Sequence, residues 1–492
     1  MTALVYLTPS NGLLLAASAI ALTLAYYASI VVYNVYFHPL AAFPGPRLAA
    51  ATPWWMISSY LGGRTPRDLL ELHNQYGPVV RTAPDALSYI GAPQWKEIYG
   101  HKPPGQPEFP KDPKYFAGLE GEPVILNADR GHHGYVRRLV AHGFSEKAMR
   151  EQEAILKGYV DVLFRKLEEE SESGQRAVDV SKWFNFITFD FIGFLTFGES
   201  FECLTTSTLH TWIEIFFSLA RFMSFHQVIS RLPGPIRLPA TLWSMPKTIA
   251  SDVQTLKQLQ SEKVKHRLRT EASVPDFMEK LVSAYNDGKM SYGQLEGNSQ
   301  ILIVAGRLTY LLLQNPRVLA KLTTEIRTTF AHPSEITFTG VNTCKYLLAC
   351  IEEALRVYPP SPQPHHRIVP AGGATVAGTH LPAGVSVSIP IYAASNSPAN
   401  WTLPEEFAPE RWTGEDARFA DDRREAAQPF QFGPRNCVGR NLAYAEVKLI
   451  VARLVWQFDL ENATEGDWMG AQKVYMVWEK TPLWVKLHPV PR

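Results

Sequence analysis

The residues of greatest chemical potential in this chain lie in one decapeptide, Phe430-Gln431-Phe432-Gly433-Pro434-Arg435-Asn436-Cys437-Val438-Gly439. Cys437 stands just ahead of a strongly periodic helical stretch, about 439–456, and therefore near a helix N-terminus. Unpaired amides and the helix dipole make that end electropositive and favour a thiolate. Arg435 adds positive charge beside the thiol, while Gly433 and Gly439 permit tight or left-handed backbone around it. Such a thiolate serves either as a nucleophile or as a single metal ligand. A structural zinc site is disfavoured, because no second Cys or His lies nearby at finger spacing.

Phe430, Gly433, Arg435, Cys437 and Gly439 resemble, position by position, the haem-binding signature of the cytochrome P-450 superfamily, the haem-thiolate monooxygenases. Five specified residue types match by chance on the order of once in ten thousand chains of this size. The resemblance implies that Cys437 is the axial thiolate on the iron of haem b, iron-protoporphyrin IX, where it favours O–O cleavage. Glu353-Ala354-Leu355-Arg356 has the family's Glu-x-x-Arg form, and its i,i+3 spacing puts both side chains on one helix face. On spacing alone this is an ordinary surface pair. Phe407-Ala408-Pro409-Glu410-Arg411-Trp412 is similar to the family's Pro-Glu-Arg element, which implies that Arg411 joins Glu353 and Arg356 in a buried structural triad.

Haem also carries two propionate carboxylates, for which Arg is well suited through bidentate pairing. His133 and Arg137 are i,i+4 on a predicted helix, so both can face one partner. The resemblance aligns them with a pair that contacts haem carboxylates, and it places Arg367, after the Pro-rich stretch 359–364, and Arg435 as further propionate cations. The competing reading makes Arg130, His132, His133, Arg137 and Arg138 a solvated basic face.

One family element is altered. The distal helix of relatives carries Ala/Gly-Gly-x-Asp/Glu-Thr-Thr/Ser, whereas this chain runs Leu302-Ile303-Val304-Ala305-Gly306-Arg307-Leu308-Thr309-Tyr310 and reaches Asn315-Pro316 early. The deficit of about nine residues amounts to about 13.5 Å and about 2.5 turns. In one alignment Thr309 is the motif's catalytic threonine and Leu308 replaces the acid. In the other, the gap follows Gly306, both acid and threonine are absent, and Thr309 belongs to the downstream Leu-Thr-Tyr-Leu-Leu-Leu. The acid and alcohol relay protons in relatives, a general acid/base task, and their loss implies peroxide leakage.

These residues need a large, mainly helical scaffold. Helical periodicity covers about 65–75, 129–140, 145–172, 180–197, 208–229, 246–270, 275–286, 293–314, 316–330, 342–357 and 439–456. Short alternating pieces at 78–82 and 86–90 read as strands, and 374–378 with 385–389 read as a strand pair. The fold class is mainly α with small β-sheets, one large domain behind an N-terminal transmembrane helix. The first 46 residues hold no Lys, Arg, Asp or Glu, and Leu13–Phe37 is apolar over about 25 residues, enough for a tilted helix to span about 30 Å of hydrocarbon. A cleavable signal peptide would show a basic start and a shorter run. Tyr26, Tyr27, Tyr33 and Tyr36 suit an interface belt, and the first cations (Arg47, Arg64, Arg67) follow the run, which places the body in the cytosol. His38-Pro39-Leu40 and Phe43-Pro44-Gly45-Pro46 form a stiff non-helical spacer. The expected organisation is 1–37 membrane anchor, 38–47 Pro-rich hinge and 48–492 catalytic domain.

Composition sets the remaining bounds. In 492 residues, 46% are hydrophobic and 19% charged, so a large core forms and disorder is excluded as the main state. A net charge of +1 argues against nucleic-acid binding. Four cysteines are too few for a disulfide framework and fit a reducing compartment. Gly-rich nucleotide loops are missing, so electrons must arrive from another protein. The resemblance implies NADPH-cytochrome P-450 reductase, with cytochrome b5 as a second donor, O2 as co-substrate and the endoplasmic reticulum membrane as location. Lys147, Arg150 and Lys448 are candidate docking cations. The aromatic-rich segment 212–245, with Phe216, Phe217, Phe222 and Phe225, aligns with the access-channel lid of relatives, which implies a hydrophobic substrate. The leader and Asn441-Leu442-Ala443-Tyr444-Ala445-Glu446 are similar to fungal microsomal members of trichothecene C-15 hydroxylase type. The expected activity is hydroxylation or epoxidation of a hydrophobic small molecule in fungal secondary metabolism. The altered distal helix leaves two alternatives, a reductase-independent isomerase or dehydratase and a non-catalytic haem protein.

Overall fold

A computed structural model describes residues 9–115, 122–232, 234–243, 247–269, 276–292, 294 and 308–491. The apolar N-terminal stretch forms the helix Pro9–Val32, continued by one π-helical turn, Tyr33–Phe37. The run Leu13–Phe37 is long and apolar enough to cross a membrane and contains no fully buried residue. The expected spacer is non-helical from His38 to Pro46, with helix resuming at Arg47. It packs onto the body. Leu40 is fully buried in a secondary core with Leu87, Trp95 and Val387, and the Arg81 amide donates to Pro44 O at 2.7 Å. Arg81 Nη1 donates to Asn34 O at 2.9 Å and Asn34 Nδ2 to Ala51 O at 3.1 Å, which fixes the end of the long helix to the body.

Helices dominate the body. Side-chain caps start several of them where the sequence supplies Asp or Ser: Asp129 accepts from the His132 amide, Ser145 from Ala148 and Asp179 from Lys182. The resulting helices Arg130–Val140, Glu146–Ser171 and Val180–Phe197 fall close to their expected limits. Val180–Phe197 is apolar on every face and is accordingly buried nearly all round. Its Phe186, Phe189 and Phe191 are fully buried, each contributing about 1.5–3 kcal/mol by leaving water. Lys345–Val357 and Arg440–Gln457 pack on this same core and carry the Glu-x-x-Arg pair and the chain that follows Cys437.

The sheets are small. One has the order Val79–Ala83, Ala86–Tyr89, Ser386–Ser388, Arg367–Ile368, with the middle pair parallel and the outer pairs antiparallel. A second places Trp484–Pro489 between Ala177–Asp179 and Phe458–Asn462. The expected pairing of 374–378 with 385–389 does not form. Gly378, at φ +75°, turns the chain so that Ala374–Val376 pairs with Thr379–Leu381, and Ser386–Ser388 is taken by the first sheet. The distal segment 302–306, Met245 and the side chains of Phe216 and Phe217 lie outside the described residues.

Candidate haem-thiolate site

The cysteine loop is built from backbone hydrogen bonds and one obligatory glycine. The Cys437 amide donates to Phe430 O at 2.8 Å, closing the loop ahead of the helix Arg440–Gln457. Gly433 adopts φ +77°, and a Cβ there would meet Tyr99 O at 2.0 Å, so only glycine fits. Gly439 has φ −82° and is the tight rather than the left-handed case, with the Phe144 ring 3.4 Å and the Cys437 sulfur 3.9 Å from where a Cβ would stand. A second left-handed residue is Gln431, at φ 64°, whose Nε2 lies 2.6 Å from His365 Nδ1.

The thiol does not behave as the helix end alone predicts. Cys437 keeps part of its surface accessible, yet protein crowds the sulfur and desolvation raises its pKa. The Gly439 amide and Arg137 pull the other way without cancelling that effect. Arg137 therefore takes the place sequence gave to Arg435 as the cation felt by the thiol. Both terminal nitrogens of Arg137 donate to Asn436, to its backbone and side-chain oxygens, which fixes the residue next to Cys437. A thiol held up in this way is a poor free nucleophile, whereas coordination to iron deprotonates it outright.

Around the loop the expected cations converge. His133, Val136, Arg137 and Val140 form the inward stripe of their helix, while Arg130 and Arg138 stay exposed, so the solvated-face reading holds only for the outer residues. His133 is buried, and burial together with Arg435, Lys111, Arg137 and Arg367 pushes its pKa down to about 3. It is therefore a neutral hydrogen-bond donor and not a cation. Arg435 donates to Ala128 O at 2.9 Å and to Glu108 at 2.6 Å. Arg367 lies 5.5 Å from the Tyr99 ring centre, and burial brings its pKa down to about 10. Arg367 Nη1 and Arg435 Nε are buried without a hydrogen-bond partner. Each such orphan costs about 1–3 kcal/mol. Two carboxylates entering this cluster would accept from both, so the donor set and the cysteine fit a porphyrin carrying two propionates.

Glu353, Arg356 and Arg411 come together in the fold. Arg356 makes a fork to Glu353, with Nε and Nη2 both at 2.8 Å, and Arg411 Nε donates to Glu353 at 3.1 Å. Three further partners escaped sequence reasoning: Asp422, 2.7 Å from Arg411 Nη1, Trp412 Nε1, 2.9 Å from Glu353, and the Ala408 amide at 3.0 Å. Glu353, Arg356 and Arg411 are fully buried, and with Asp422 they balance two charges against two.

Thr309 is buried in the helix Leu308–Gln314, which packs chiefly on Pro316–Thr329, Lys345–Val357 and Phe458–Asn462. Its neighbour Tyr310 lies 4.9 Å from the Trp468 ring. On the loop's outer side a groove of about 960 Å³ runs past Gln431, Asn436, Arg440, Tyr444, Glu352 and Lys321. Of the docking candidates, Lys147 and Arg150 are exposed beside Glu151 and Glu146, and Lys448 donates to Asn342 at 2.8 Å.

The fold and site define a class that comparison bears out: this chain belongs to the cytochrome P450 family, whose family model (Cytochrome P450) matches residues 46–483. It is 43% identical to the Cytochrome P450 monooxygenase hepD of Aspergillus oryzae, over 94% of each chain. It is 40% identical to the trichothecene C-15 hydroxylase of Fusarium sporotrichioides, over 95% of this chain and 96% of that one. It is also 40% identical to the averantin hydroxylase of Dothistroma septosporum, over 93% and 88%. The chain is an oxidoreductase of the monooxygenase type, a class that uses haem, O2, a redox partner and small-molecule substrates.

Proposed function

We propose that this chain is a membrane-anchored, haem b-dependent monooxygenase that hydroxylates or epoxidises a hydrophobic small molecule in fungal secondary metabolism, with Cys437 as the axial ligand. The observation that carries this reading is the cysteine loop itself, set beside buried guanidinium groups that have unpartnered N–H donors. Relatives named as hydroxylases of secondary metabolites support the substrate class. Bound iron-porphyrin supplies the O2 chemistry, which a thiolate ligand promotes by donating electron density.

The protein's own part is positional. Cys437 binds through its sulfur, and Arg137 holds the loop by gripping Asn436. Arg367, Arg435 and His133 would hold the carboxylates. The network of Glu353, Arg356, Arg411 and Asp422 locks the meander that leads into the loop. Electrons come from NADPH-cytochrome P-450 reductase, assisted by cytochrome b5, docking over the groove outside the cysteine loop. The helix Pro9–Val32 and its π-helical extension hold the body on the cytosolic face of the endoplasmic reticulum.

The test is Cys437→Ser in the full-length chain. The reduced, carbon monoxide-bound wild type shows the thiolate-type Soret shift and the variant loses it; identical bands in both would overturn the assignment. A second reading, a haem-thiolate isomerase or dehydratase needing no reductase, draws support from the altered distal sequence, where Leu308 stands in place of the acid or both acid and alcohol are absent. Turnover of a hydroperoxide without NADPH would establish it.

A further inference from the structure

One buried amide is left over once the site is assembled. Gln227, in the last turn of the helix Thr211–Ile229, is 1% exposed, and neither its Oε1 nor its Nε2 has a hydrogen-bond partner. Its main-chain carbonyl, by contrast, accepts from Ser230 Oγ at 2.7 Å and from Arg231 Nη1 at 2.8 Å. Among the described residues it is the buried carboxamide with both ends orphaned. Others keep a partner, as where Gln152 Nε2 donates to Gly143 O at 3.1 Å and Asn400 Nδ2 to Ile90 O at 2.8 Å. A donor and an acceptor desolvated together destabilise the fold unless a ligand supplies their complement.

Helical spacing shows where the amide looks. Ala220, Ser224 and Gln227 are all buried and lie at i, i+4 and i+7 on one face, whereas Arg221 and Phe225 lie on the exposed side. A helical side chain leans over the preceding turn, and there Ser224 and Ala220 are small. Arg231 follows in the turn that closes the helix, with its Cζ 5.4 Å from the Tyr60 ring centre. The Tyr60 hydroxyl lies 3.4 Å from Nε2 of His366, the residue before Arg367. This face therefore turns toward the strand of Arg367, on the side where the cofactor's carboxylates are placed. Ser224 Oγ donates to Ala220 O at 3.3 Å and the Tyr60 hydroxyl is committed to His366, so neither completes the amide.

We propose that the Gln227 carboxamide is a specificity-determining group and that the substrate, largely apolar elsewhere, carries a hydrogen-bond acceptor and donor side by side, the edge of a lactam or other cis-amide. This rests on the haem-thiolate monooxygenase reading and names the polar part of its substrate. Gln227 Nε2 donates to the substrate carbonyl, and the substrate N–H donates to Gln227 Oε1. With water excluded, a site that offers both partners rejects an analogue lacking either one.

The experiment uses the full-length holoprotein in detergent and equilibrium dialysis of two probes, 2-quinolone, which presents the cis-amide edge, and N-methyl-2-quinolone, which has lost the donor. Wild type binds the first about tenfold more tightly. Gln227→Met abolishes that preference, keeps the thiolate-type carbon monoxide band and raises the denaturation midpoint of the protein without probe, because two unpaired polar atoms are gone. A preference that survives Gln227→Met is steric and overturns the proposal, as does a wild type that binds the two equally or binds neither. A lower midpoint in Gln227→Met makes the amide a structural group and overturns it as well. Should Gln227→Met fail to accumulate, Gln227→Asn, which draws the carboxamide back by one methylene, takes its place, with the preference again lost. A normal thiolate-type band without the preference removes this proposal alone; a preference without the band removes the haem-thiolate reading and leaves Gln227 holding a ligand that is not oxidised.

Discussion

Glu446 shows how a single buried carboxyl reports its own protonation. Thr188 Oγ1 lies 2.9 Å from Phe184 O and 2.8 Å from Glu446 Oε1, but one hydroxyl hydrogen cannot serve both acceptors. A protonated Glu446 resolves this by donating to Thr188 while Thr188 donates to Phe184. Burial pushes the Glu446 pKa up to about 7, from 4.5. The folded state thus holds the proton more tightly than the unfolded chain. Its stabilisation is complete below about 4.5 and is lost as pH rises through about 7. The denaturation midpoint of wild type is expected to drop between those limits, and that of Glu446→Gln to stay flatter; equal slopes would refute it. The arginine network yields a second prediction. Arg411→Met leaves Glu353 and Asp422 short of a buried partner, at about 3–5 kcal/mol, read as a lower denaturation midpoint. Glu353, Arg356 and Arg411 were legible because their motifs are local. Asp422 was not, because it reaches Arg411 only through an irregular meander that leaves no periodic trace.

Among elements, long helices were readable to within a few residues, since apolar periodicity and Asp or Ser caps mark them twice over. The strands at 79–83 and 86–89 form as expected, whereas the pairing expected of 374–378 with 385–389 does not. Ser386–Ser388 lies parallel to Ala86–Tyr89, a partner some three hundred residues earlier in the chain, and such registers are set by the assembled core and not by local turns. A tighter hairpin closes at Gly378, which the alternating pattern assigns to the end of a strand. The helix Leu308–Gln314 carries its own prediction. In the alignment that places the gap after Gly306, Thr309 is not the relay alcohol, so Thr309→Ala leaves the ratio of product to NADPH consumed unchanged. A collapse of that ratio, with hydrogen peroxide making up the difference, would instead identify Thr309 as the proton-relaying alcohol.

At the scale of the whole molecule, the mainly helical body, the apolar N-terminal helix and the cysteine loop were all visible in the sequence. What escaped was the burial of the site's charges. Side-chain type predicted a depressed Cys437 and a cationic His133, whereas desolvation reverses the first and neutralises the second. Desolvation depends on everything packed around a group, so no window of sequence contains it.

The grip of Arg81 on Asn34 has a practical corollary for anyone wishing to make a soluble form of this enzyme. A truncation that begins within 30–33 deletes most of the lipid-facing stretch and keeps the acceptor of a deeply buried guanidinium. One that begins at 38 strips that acceptor away and leaves the guanidinium of Arg81 short of a partner. The shorter cut should give monodisperse, pigment-bearing protein on size-exclusion chromatography and the longer cut aggregates, although the two differ by only a few residues of primary structure.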